Sequence, residues 1–209
     1  MTATKPGVVM DDNERRSAFM SALVTEHFVL QTAAAATVSE AGTRASLYVF
    51  ALSSSLVAMG FASRDREVFL PFVATVLPAV FLLGVFTVVR LVDTGMEYNQ
   101  CLAGIARIRD YYRTLTPEAA ELFAAPGGRY PEVEAPPVLR LGPFVAFITT
   151  NASMVAFINS IVAGAGVTLL AGDLLGANQR ILALGLGLVA AVAVMVAFLA
   201  YQRWRYDTG

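Results

Sequence analysis

Residues 14–62 read ERRSAFMSALVTEHFVLQTAAAATVSEAGTRASLYVFALSSSLVAMGFA. No proline falls between Pro6 and Pro71, and Gly42 and Gly60 are the only glycines inside the run. The stretch predicts one uninterrupted helix from Glu14 to Ala62, which at about 1.5 Å per residue would reach roughly 73 Å. Only Ala45–Ala62 is apolar and charge-free enough to sit in hydrocarbon. The remainder is expected in water, continuous with the first membrane span.

That helix carries a pattern. Thr25, Thr32, Ser39, Ser46 and Ser53 recur every seven residues, and Ser17 and Ser21 extend the line toward the N-terminus. A seven-residue repeat keeps one seam facing a constant direction when a helix supercoils left-handedly with its neighbours. Here the seam is small and hydroxylic, with Ala35, Ala36, Gly42 and Thr43 beside it. One reading is close helix packing, because small residues let membrane helices approach. The other is a polar lining around an axis shared by several copies of the chain.

A hydrophobic content of 56% with only 15% charged residues points to a membrane protein rather than a soluble globule. The formal net charge of −1 suggests no nucleic-acid partner. Cys101 is the single cysteine, so no intrachain disulfide can form. An acidic opening (Asp11, Asp12, Glu14) ahead of a first apolar span near residue 45 does not read as a signal peptide. No nucleophile elbow, phosphate-binding loop or zinc-protease motif occurs, and histidine and cysteine are too few for a redox or zinc centre. Neither catalysis, a metal nor a cofactor is expected.

Taken in order, the chain predicts an all-α protein with four transmembrane helices. Residues 1–44 form an N-terminal tail and a cytosolic helix continuous with the first span, 45–62. A tight polar turn, Ser63-Arg64-Asp65-Arg66-Glu67, leads to the second span, 68–89, which Pro78 is expected to kink. Residues 90–141 hold a helical extension of that span to about Leu115, a short helix and a linker. Thr116-Pro117-Glu118 starts the short helix, which is expected to end near Ala125, and Pro126, Pro131, Pro136 and Pro137 make the linker. The third span is read as 144–171, the fourth as 181–201, and 202–209 as a C-terminal tail. Extended first and second helices would lie antiparallel in a cytosolic bundle.

Twelve of the fifteen basic residues fall on one side of this layout, and Arg64, Arg66 and Arg180 on the other. By the positive-inside rule both termini face the cytoplasm and the short loops face out.

No charged residue falls deep in any span, which disfavours proton-coupled transport. Asn151 and Asn159 are the secondary polar candidates in the third span; interhelical hydrogen bonding and a polar pathway are the two readings. Ala183, Gly187 and Ala191, spaced by four, form a packing face on the fourth. Glu40 and Arg44 stand in the favourable order for a helical ion pair. Asp93 and Glu97 share a face and repel unless compensated, with Arg90 the simplest partner. A cation site assembled from Glu26, His27, Asp93 and Glu97 is the sharper alternative, unsupported by a fixed ligand spacing. The Arg107, Arg109 and Arg113 cluster is expected to pair with Glu118, Glu121, Glu132 or Glu134.

The stretch Thr25-Glu26-His27-Phe28-Val29-Leu30-Gln31 leading to Ser39-Glu40-Ala41, with Arg90-Leu91 and Ile108-Arg109-x-Tyr111-Tyr112, resembles four-span integral membrane proteins of actinobacteria, a group with no assigned activity. The resemblance covers the two long helices and implies a bacterial plasma-membrane location. A cytosolic helix running into the first of four spans is also similar in layout to Orai and bestrophin channel subunits, without shared motifs. The functional expectation is a homo-oligomeric, channel-like protein in the lipid bilayer, its hydroxyl seam lining the axis. The alternative is a membrane-anchored scaffold or signalling subunit that binds a cytoplasmic protein through its helical bundle.

Overall fold

Asp12 and Glu14 complement the positive N-terminal end of the first helix, and no proline interrupts the ladder behind them. α1 accordingly runs over Asp12–Ala62 without a break. The computed structural model describes residues 11–123 and 149–208, and every element among them is helical. After α1 come α2 (Arg66–Arg113), α3 (Pro117–Leu122), α4 (Asn151–Leu175), one 3₁₀ turn (Ala177–Gln179) and α5 (Arg180–Thr208). Four of these, α1, α2, α4 and α5, are long and apolar enough to cross a membrane.

The connection from α1 to α2 is closed by short polar side chains. Ser63 Oγ donates to the Gly60 carbonyl at 2.8 Å, and the Asp65 carboxylate accepts from the Glu67 N–H at 2.9 Å. Pro71 and Pro78 both lie inside α2, which remains one helix through each of them. Thr116 caps α3 by accepting from the Ala119 N–H at 3.1 Å, with Pro117 at the first position. That helix ends at Leu122 rather than near Ala125, and the proline-rich linker lies outside the described residues.

Two expected boundaries move. The third span was expected to open at Phe144, which lies outside the described residues; α4 begins at Asn151, where Thr150 accepts from the Ser153 N–H, and runs past Ala171 to Leu175. Gly176, at φ +78°, makes the turn that a side chain would strain. Residues 202–208, expected as a tail, are the last two turns of α5. No glycine or proline stops the helix there, and burial of Gln202 and of the Tyr206 ring holds those turns in place.

By their internal packing the described residues fall into two units, 11–35 with 100–123, and 36–99 with 149–208. In the first, the Phe19 ring meets Tyr111 edge-on at 5.5 Å, and Tyr112 leans on Phe123 at 5.3 Å. Arg113 donates to the Phe123 carbonyl at 3.0 Å and to Asp110 at 3.1 Å, so its anion is on its own helix rather than the expected downstream glutamate. Proximity decides: three residues along a helix is a shorter reach than a separate element.

The second unit is a four-helix, up-down arrangement. Arg66 donates to Asp173 at 2.9 Å, joining the α1–α2 turn to the end of α4. At the opposite end Arg205 donates to Asp93 at 2.7 Å, joining the last turns of α5 to α2. Between these ends Tyr48, Val88, Val92 and Val155 form a dry core. The small face expected on the fourth span is where α4 and α5 meet: Ala183 and Gly187 are buried, and a Cβ at Gly164 would stand 2.7 Å from the Gly187 carbonyl and 2.9 Å from Ala191 Cβ.

Candidate functional site

α1 shows two faces that keep the same period. One line, Met20, His27, Ala34, Ala41, Tyr48, Ser55 and Ala62, recurs every seven residues and is partly or wholly buried throughout. The hydroxyl line, Thr25, Thr32, Ser39, Ser46 and Ser53, is exposed at all five positions, and Gly60 extends it. The two lines stand two residues apart in register, about 206° around a helix of 3.5 residues per turn, so they are nearly opposite. The helix therefore spends one seam on its own chain and leaves the other bare. Thr25 and Thr32 turn their hydroxyl protons to the carbonyls of Ser21 and Phe28, at 2.9 and 2.8 Å. Their oxygens still have room to accept.

Among the described residues, the buried polar side chains Ser153, Asn159 and Ser160 of α4 are each hydrogen-bonded within the chain. Asn159 is fully buried, accepts from the Tyr48 hydroxyl at 3.2 Å and donates to the Phe81 carbonyl at 3.2 Å. Gly84 makes this possible, because a Cβ there would overlap the Asn159 carboxamide. One amide thus ties together α1, α2 and α4, which is the interhelical reading of that residue. Asn151 lies elsewhere, exposed at the first residue of α4. A second knot escaped the sequence reading: Ser153 Oγ donates to Gln202 Oε1, and Gln202 Nε2 to Thr150 Oγ1, both at 3.1 Å.

An ionic belt completes the unit on the Glu40 side. Arg90 donates to both oxygens of Glu40, at 2.9 and 3.3 Å, and to Glu97 at 3.1 Å. Arg44 adds a 2.8 Å bond to Glu40, the helical pair expected from the spacing. Asp93 is held by Arg205. The two carboxylates expected to need one neutraliser therefore have two, Arg90 for Glu97 and Arg205 for Asp93. Among the described residues no group of three or more His, Cys, Asp or Glu side chains could hold a metal ion. His27 sits on the buried line of α1, and its Nδ1 is enclosed without a hydrogen-bond partner.

Compared with protein-family models, curated proteins and solved structures, the chain matches none.

The belt has a pH signature. Hydrogen bonds from Arg90, and next from Arg44, hold the Glu40 carboxyl down to about 2 from its ordinary 4.5. A carboxylate depressed on folding contributes above its unfolded pKa and loses that contribution as pH falls through the folded value. The Glu40 contribution is complete at neutral pH and fades between about 4.5 and 2. Thermal unfolding in detergent across that window is expected to show a component that Glu40→Gln lacks. Parallel acid profiles for the two proteins would remove it.

Proposed function

We propose that this chain is a subunit of a homo-oligomeric, channel-like membrane protein with no catalytic role, in a bacterial plasma membrane with both termini cytoplasmic. α1 of each copy stands around a shared axis with its hydroxyl line turned inward. The observation that carries this reading is the exposure of all five hydroxyl positions on the face of α1 opposite its packed seam. The burial of Tyr48, Val155 and Asn159 supports it, because a route for solute would run between copies rather than through this packed core.

The test uses a Cys101→Ser background carrying Ser46→Cys or Ser53→Cys, reconstituted for single-channel recording. Water-soluble thiol reagents are expected to reach both positions and block current. Inaccessibility of both, with mass measurement giving a monomer, would end the reading.

A second reading has its own support. In the first unit Val24, Phe28 and Val29 are exposed, on a stretch of α1 that follows Arg15 and Arg16 and includes Glu26. Such a patch suits a cytoplasmic protein partner of a membrane-anchored scaffold. A silent bilayer from a correctly assembled protein would favour it.

A further inference from the structure

Between Arg180 and Arg203, α5 carries no charged residue. That run rises about 35 Å, against a hydrocarbon core of about 30 Å, so the arginine at each end stands at headgroup depth. Leu182, Val189, Val196 and Arg203 recur every seven residues and are all exposed. One outward line of the helix, drifting only about 20° per repeat, therefore passes from apolar to cationic in its last turns. The other side of those turns is spent on its own chain: Gln202 is buried, and Arg205 is held by Asp93 at 2.7 Å. Arg203 stands about 200° round the helix from Arg205.

The other arginines at this end of the unit are closely paired. Arg44 and Arg90 hold Glu40 at 2.8 and 2.9 Å. Arg203 has only Asp207, at 3.7 Å, with the two side chains 80% and 69% exposed. Cation before anion is also the weaker order for a pair four residues apart. The guanidinium thus keeps its planar fork of donors turned outward, the shape that bridges two oxygens of a phosphate. Trp204 beside it is 58% exposed, its ring 6.3 Å from that of Tyr201. An indole has an apolar body and one N–H donor, and it settles where hydrocarbon gives way to headgroups. Asp207 lies one turn, about 6 Å, further from the apolar run than Arg203.

We propose that Arg203 and Trp204 hold the headgroup of an anionic phospholipid, its chains along Val189 and Val196 and its phosphate on the guanidinium. The contact rests on the bilayer placement proposed above and on neither the assembly nor conduction. Such a lipid matches both parts of the line, chains on the apolar stretch and negative charge at its end. A water-borne anion matches only the second.

Trp204 is the sole tryptophan, so intrinsic fluorescence reads this place alone. Full-length protein is reconstituted in phosphatidylcholine carrying a fixed share of chain-brominated lipid, either phosphatidylglycerol or phosphatidylcholine, and bromine quenches the indole on contact. Brominated phosphatidylglycerol is expected to quench as though enriched about five-fold around Trp204, the effect of one basic residue at a membrane surface. Arg203→Gln should bring the two lipids to equality, and Asp207→Asn should raise the preference. Equal quenching in the native protein, or a preference that Arg203→Gln leaves intact, would overturn the headgroup contact and leave the bilayer placement standing. Quenching by neither lipid would remove both.

Discussion

Gly187→Val is expected to part the α4–α5 hairpin and lower stability by about 3 kcal/mol, the upper end for overpacking a filled interior. A Cβ at Gly187 would stand 2.6 Å from the Gly164 carbonyl and overlap the Thr168 hydroxyl. The first obstacle is backbone, which cannot swing aside as a side chain can. The two helices must separate along their contact, forfeiting the dispersion gained by close approach. Gly185, two residues earlier on α5, would place a Cβ in open space, with nothing within 4 Å, and supplies the control. Gly185→Val should change unfolding in detergent by only a few tenths of a kcal/mol, about 0.5 at most. Equal losses at the two positions would mean that helix propensity, not the close crossing, governs this hairpin.

The second large effect is a coupling. Asn159→Ala removes the bonds to Tyr48 and to the Phe81 carbonyl and leaves the Tyr48 hydroxyl without its partner in a dry core. Hydrogen bonds between membrane helices average about 0.6 kcal/mol and reach about 1.7, so two lost bonds place the cost at about 1–2 kcal/mol. Gly84→Ala alone should cost a similar amount, because its methyl displaces the same carboxamide. With Asn159 already truncated, that methyl has room. The double variant is expected to be more stable than the sum of the singles by about 1 kcal/mol or more, read by reversible unfolding in mixed micelles. Simple additivity would show that Gly84 does not make the space Asn159 occupies.

What could be read from the sequence was whatever is local. The Glu40–Arg44 pair, the Thr116 cap and the small face of Ala183 and Gly187 each depend on residues three or four apart, and each stands where it was expected. The seven-residue hydroxyl line was visible too, but not which way it faced. Its exposure is set by the opposite line through Ala34, Ala41 and Tyr48, and small or apolar residues on both sides of α1 gave no sign of which would be buried.

Contacts between distant segments were out of reach for the same reason. Tyr48 and Asn159 are 111 residues apart, and α4 is apolar on every side, so no amphipathic stripe announced its rotation. Arg205 and Gln202 looked like the polar finish of a chain. They are instead partners of Asp93 and Ser153, and their bonds keep α5 helical to Thr208. Only Asn159, an amide in an otherwise greasy segment, hinted that something across the bundle was waiting for it.

The sealed interior around Tyr48, Val155 and Ala156 has a consequence for how activity would depend on abundance. In the proposed assembly a solitary copy would be a plug, adding a protein to the bilayer and no leak. Permeability would then climb more steeply than in proportion to protein density, and a cell holding few copies would be spared whatever many copies let through.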